Sequence, residues 1–224
     1  MTIAFRPIRL AVLAMAALPA ACAYTGGDIG NPLARRLDWY SYVAGDDIRA
    51  HCDAGSPDRF RLVYNAVWGK QLRMYDLDGV RRVLVARATR QGEVRIEPAA
   101  PLASWQAAEG RTPLDDATYA RLVAAFAASG MFAPPPVGLD LPSRSYFWTA
   151  AYCRDGRYGF TAWKYPSSTF SSLTFDRALF ALDRTGVPPR SAGPVPFDPD
   201  WESLARYGRE VQFTLTVGRS GLVR

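Results

Sequence analysis

The sequence predicts an α+β fold: an antiparallel sheet built from hairpins, packed against one long helix and one or two short ones. Three observations predict it. Runs of alternating apolar and polar residues meet twice across Asp-Gly pairs, at Asp78-Gly79 and Asp155-Gly156, the pairing that best suits a two-residue hairpin turn. A stretch of helical rather than strand period separates the two hairpins. The chain then closes on another alternating run.

The folded part is expected to begin near Trp39, where Trp39, Tyr40, Tyr42 and Val43 form an apolar cluster ahead of an acidic turn at Asp46-Asp47. Phe60, Leu62, Tyr64 and Ala66 alternate with Arg59, Arg61, Val63 and Asn65, which describes a strand with one buried and one mostly polar face. Runs from Lys70 to Leu77 and from Val80 to Ala88 flank the first Asp-Gly pair. A type I′ turn there sets Leu77 opposite Val80 and Asp76 opposite Arg81, and gathers Leu72, Met74, Val83 and Val85 on one face. A further short strand is expected from Glu93 to Glu97.

The long helix is expected over Thr112 to Gly130, capped by Thr112, with Pro113 in its first turn and Asp115 and Asp116 at the positive end of its dipole. Tyr119, Leu122, Val123 and Phe126 recur at i, i+3, i+4 and i+7 and share one face. Pro134-Pro135-Pro136 prevents the helix from resuming. The second hairpin pairs Ser145 to Cys153 with Arg157 to Tyr165. Its register gathers Tyr146, Trp148, Tyr152, Trp163 and Tyr165 on one face, with Gly159 opposite Tyr152, and leaves Phe147, Cys153, Tyr158 and Phe160 on the other. Two apolar faces imply a central place in the sheet. Short helices follow around Phe175, Leu179 and Leu182 and from Asp200 to Tyr207, and a last strand carries Val211, Phe213, Leu215 and Val217.

The N-terminal segment is an export signal by composition. Arg6 and Arg9 precede the apolar run Leu10 to Leu18, and small residues begin at Ala20. The run is shorter than the roughly 18 to 20 residues of a spanning helix, and Pro19 interrupts it. Ala21-Cys22-Ala23 fits the rule for ordinary signal peptidase, which would release a soluble periplasmic or secreted chain near Tyr24. The stretch Leu18-Pro19-Ala20-Ala21-Cys22 resembles the lipobox of bacterial lipoproteins, with Pro19 standing where that family usually has Leu. That resemblance implies lipidation of Cys22, a lipid anchor, and residence in the periplasm at the cell envelope. The expected organisation is a signal peptide over residues 1–21, a Gly-rich flexible tether over 22–38 and one α+β domain over 39–224. The order of strands, helix and aromatic hairpin between Val80 and Gly186 is similar to that of several uncharacterised bacterial exported domains. That likeness carries no catalytic residues.

Cysteine parity supports export. Setting Cys22 aside leaves Cys52 and Cys153, which an oxidising compartment can pair without remainder. Removing Arg6 and Arg9 from the 27 basic residues leaves 25 against 21 acidic ones, a mild excess of +4 that is nearly all Arg and is spread along the chain. Neither this distribution nor any motif points to nucleic acid.

The sequence offers no catalytic constellation. His51 is the single histidine, it adjoins Cys52, and no G-x-S-x-G elbow is present. One histidine with a bonded cysteine pair does not make a zinc site. Asp76, Asp78 and Gly79 lack calcium-loop spacing, and a hairpin turn explains them better. The side-by-side pairs Asp46-Asp47 and Asp115-Asp116 read as a solvated turn and a helix start, since glycosidase chemistry needs carboxyls facing across a cleft. No cofactor is expected. The candidate binding surface is the aromatic face Tyr146, Trp148, Tyr152, Trp163 and Tyr165, which would stack on a glycan or a partner protein unless the long helix covers it. The sequence therefore leads to a lipid-anchored envelope domain with a binding or structural role, or alternatively to a carbohydrate-binding module or hydrolase using that aromatic surface.

Overall fold

The computed structural model describes residues 24–89, 106–207 and 212–223. The expected signal peptide, Cys22, the Glu93 to Glu97 strand and Val211 lie outside them. Among the described residues nine strands and six helices follow in chain order: α1 (Pro32–Ala44), α2 (Asp46–Ala50), β1 (Arg59–Ala66), β2 (Leu72–Asp78), β3 (Val83–Ala88), β4 (Ala108–Pro113), α3 (Asp116–Ala128), β5 (Asp140–Pro142), β6 (Tyr146–Arg154), β7 (Arg157–Lys164), α4 (Ser168–Ser171), α5 (Phe175–Leu182), α6 (Pro199–Arg206), β8 (Thr214–Gly218) and β9 (Gly221–Leu222). The main sheet runs β4-β3-β2-β1-β6-β7, all antiparallel, and a small sheet runs β5-β8-β9. The α+β class is as expected.

Side-chain alternation divides the main sheet into two covered faces. One face presents Phe60, Leu62, Tyr64, Tyr75, Leu77 and Trp148 to Leu122 and Phe126 of α3 and to Phe175 and Leu179 of α5. The other presents Val63, Met74 and Phe147 to Trp39, Tyr42 and Val43 of α1 and to Leu141, Leu215 and Val217 of the small sheet. The long helix therefore packs on the aromatic face that its own apolar stripe requires.

The second hairpin forms in its expected register. Asp155 and Gly156 both have positive φ, 50° and 69°, as a type I′ turn requires, and Tyr152 lies opposite Gly159. A Cβ on Gly159 would sit 2.2 Å from the Tyr152 ring. Only glycine leaves that ring room to lie across the strand. Of the two strands, β6 is interior and β7 is an edge, so the expectation of a central place holds for β6 alone.

The first hairpin is longer than expected. Asp78 lies opposite Val83 and Leu77 opposite Leu84, leaving Gly79 to Arg82 as a four-residue loop. Asp78 turns the chain with its side chain instead, accepting from the amides of Val80 and Arg81 at 2.9 Å each. Gly79 donates to the Asp58 carbonyl at 2.9 Å. The register moves by an even number of residues, which preserves faces, so Leu72, Met74, Val83 and Val85 still share one; Asp76 lies opposite Val85 rather than Arg81.

Three further expectations are corrected. Thr112 and Pro113 end β4 instead of starting the helix, and Asp115 is the cap, accepting from the Thr118 amide at 2.6 Å. Both Thr112 and Asp115 suit a cap, and pairing of β4 with β3 decides between them. The polar face of β1 is not solvated: Arg61 and Asn65 are 2% and 0% exposed beneath the α1 layer. The Gly-rich stretch expected as a tether is packed, with Tyr24 and Ile29 buried and α1 starting inside it. The Tyr24 amide donates to Ser41 Oγ at 2.8 Å. Near the C-terminus, α5 spans the residues expected and α6 lies one residue before its expected place, while the last strand pairs in the small sheet.

Candidate functional site

Four strands and one helix end bring the site together. Arg61, Asp76, Val85 and Arg111 succeed one another across β1, β2, β3 and β4 on the sheet face that carries α1, with Arg59, Asp78 and Val83 in the next row of the same face, because cross-strand partners share a face. Helices α1 and α2 cover only the β1 side of this row. Beyond them a groove of ≈ 200 Å³ opens, floored by Ile48, Val83 and Val85 and rimmed by Arg59, Arg81 and Arg111.

Beneath the groove lies a buried ionic network centred on Arg61. Its guanidinium donates to both carboxylate oxygens of Asp47 at 2.6 and 3.1 Å, to Asp76 at 2.7 Å and to the Tyr42 carbonyl at 3.1 Å. The Tyr42 ring lies 3.9 Å from its central carbon. Asp76 also accepts from the Tyr42 hydroxyl at 2.9 Å and from Arg87 at 3.1 Å, and Arg87 continues to Glu109 at 2.9 Å. Burial opposes ionisation of Asp76, but the Arg61 charge and hydrogen bond, with Arg87 and Tyr42 behind them, hold its pKa below the usual carboxylate range. Burial pushes the Tyr42 hydroxyl well above its ordinary value, and the Asp76 charge adds to this. Asp47, expected in a solvated turn, is buried in this network.

The rim is different in kind. Arg59, Arg81 and Arg111 have side chains 41%, 82% and 68% exposed, and their carboxylate neighbours stand at 3.7 Å (Asp47), 3.6 Å (Asp78) and 2.8 Å (Glu109). Exposed pairs of this sort hold with roughly 0 to 1 kcal/mol, so an incoming anion can replace them at little cost. Rim and floor together suit an acidic group carried on an apolar body.

The two carboxylates that line the groove, Asp76 and Asp78, are engaged by Arg61 and Arg81 instead of standing as a facing acid and base. His51 directs Nδ1 to the Asp47 carbonyl at 2.9 Å, and Cys52 is bonded to Cys153. Among the described residues no group of three or more His, Cys, Asp and Glu side chains converges to hold a metal. A second cavity of ≈ 320 Å³, beside Ser129, Pro134 and Trp163, is lined without any ionisable side chain. The other buried cluster ties Arg73 to Asp183 and to the Val187 carbonyl, with Tyr75 donating to Asp183 at 2.8 Å. It fastens the segment after α5 to the sheet.

The aromatic face expected as a binding surface is core. Trp148 and Trp163 are 1% and 5% exposed and Tyr146 is buried with them. Phe175 packs on both indoles at 5.2 and 5.1 Å, and Tyr152 packs on Phe132 at 5.1 Å. Tyr165 is partly buried against the same cluster. Tyr146, Trp148 and Trp163 therefore offer no open ring at this face, and Tyr152 and Tyr165 are only partly exposed. The paired cysteines are as expected, with Cys52 and Cys153 bridged across a sequence separation of 101. The groove itself was only half legible. The pattern placed Val83 and Val85 together, but Arg111 joins them only through β4, which the helix expectation concealed. No protein-family model, no curated protein and no solved structure matches this chain.

Proposed function

We propose that this chain is an exported bacterial lipoprotein, anchored through Cys22 at the periplasmic side of a membrane, whose α+β domain binds an acidic segment of another envelope protein. The signal-like N-terminus and the lipobox-like Leu18 to Cys22 support the address, and the bridged Cys52 and Cys153 suit an oxidising compartment. The single observation that carries the binding role is the groove, where three exposed guanidiniums surround an apolar floor and every nearby carboxylate is already engaged with an arginine. Positive rims of this kind speed encounter with an acidic partner, and their desolvated floors hold it.

A photo-crosslinking amino acid at Val83, in the full chain expressed with its own signal, tests the role. The expected result is one discrete adduct in the envelope that disappears when Arg81→Glu and Arg111→Glu are added. An adduct that persists in the double variant, or no adduct at Val83, would remove the groove from the account.

A further inference from the structure

Helix α1 has an exposed outer stripe, at one end of which Tyr40 packs edge-on against Phe213 with ring centroids 5.9 Å apart. Leu33, Arg36, Leu37 and Tyr40 recur at i, i+3, i+4 and i+7 and are all exposed, the three apolar ones by 67%, 60% and 52%. The opposite stripe, Trp39, Tyr42 and Val43, is buried on the sheet. Surface helices of water-facing domains ordinarily carry polar residues on that outer side.

The chain ahead of α1 does not lead away from it. Tyr24 is buried against Tyr42, with ring centroids 4.9 Å apart, and its amide is held by Ser41, the residue after Tyr40. Two residue steps separate Tyr24 from Cys22, and two steps of extended chain reach about 7 Å. A lipid on Cys22 is thus confined to the neighbourhood of the α1 layer, and no tether can carry the domain clear of the bilayer.

From these two observations we infer that the outer stripe of α1 is a membrane-docking surface. Leu33, Leu37 and Tyr40 enter the interfacial region, Tyr40 with its hydroxyl at headgroup level, and Arg36 meets anionic headgroups. The inference rests on the lipidation of Cys22. An acylated N-terminus already secures attachment, so α1 contributes orientation, with α3 and α5 turned away from the bilayer.

The test uses the full mature chain, purified from membranes, with its N-terminal mass measured first. A fluorescent amino acid is placed at Leu37 or, as control, at the exposed Arg177 on α5, and the protein is reconstituted into phosphatidylethanolamine vesicles containing a minority of phosphatidylglycerol. Bromine-labelled lipid is expected to quench the probe at Leu37 severalfold more than the probe at Arg177. Arg36→Glu should reduce that difference, and Leu33→Glu with Tyr40→Glu should abolish it, while Cys52–Cys153 still forms. A diacylglyceryl mass on Cys22 with equal quenching at both positions overturns the docking surface and leaves the lipoprotein reading standing. A mature chain without lipid mass overturns both.

Discussion

Replacing Arg61 with alanine is expected to destabilise the domain by about 3 to 5 kcal/mol, the range for removing one partner of a buried ion pair. The cost comes from what remains. Arg61 is 2% exposed and satisfies Asp47, Asp76 and the Tyr42 carbonyl at once. Asp47, with its side chain 8% exposed, keeps only Arg59 at 3.7 Å. Asp76 is 25% exposed and keeps Arg87, which draws the result toward the lower end. Arg61→Lys should recover only part of the loss, because an ammonium cannot fork to two carboxylates in one plane.

The pH dependence should change sign. In the natural chain the folded pKa of Asp76 is depressed, so its contribution is full above the unfolded carboxylate pKa of about 3.9 and is lost as pH falls through the folded value. Stability should be level between pH 7 and 5 and fall below about pH 4. In Arg61→Ala the burial of Asp76 is no longer offset by the Arg61 charge and hydrogen bond, so the variant should gain stability between pH 7 and 5. Urea midpoints at the two pH values decide it, and a variant with an unchanged midpoint would show that the network contributes little.

Removing the bridge with Cys52→Ala and Cys153→Ala is expected to cost about 4 to 5 kcal/mol in the chain-entropy description, since the cross-link closes a loop of 101 residues. For a chain of this size that corresponds to a fall in Tm of roughly 10 to 20 °C. The loop encloses β1 to β5, α3 and nearly all of β6, so every strand of the main sheet but β7 has its unfolded freedom curtailed. Reduction of the natural chain should reproduce the fall. A melting curve indifferent to reductant would mean that the two thiols are unpaired in the natural protein.

What the sequence made legible was what depends on nearby residues. Asp155-Gly156 specified a turn, and the turn specified which side chains share a face down to Gly159 beneath Tyr152. Alternation and parity gave the strands and the disulfide. What it hid depends on distant partners. Thr112 and Asp115 are both sound caps, and pairing of β4 with β3 chooses between them. Arg61 and Asn65 look solvent-facing until α1 and the Ser143 to Ser145 carbonyls close over them. Glycines before α1 suggested slack, yet they let Tyr24 and Ile29 tuck into the core. The aromatic face invited a ligand because nothing local says that α3 and α5 will cover it.

Mass spectrometry of the mature N-terminus, from protein recovered in its own envelope, tests the central claim most directly. A chain that begins at Cys22 and carries a diacylglyceryl modification is the predicted result. A chain that begins at Tyr24, or one that retains Met1 through Ala21 with Cys52 and Cys153 reduced, would contradict it.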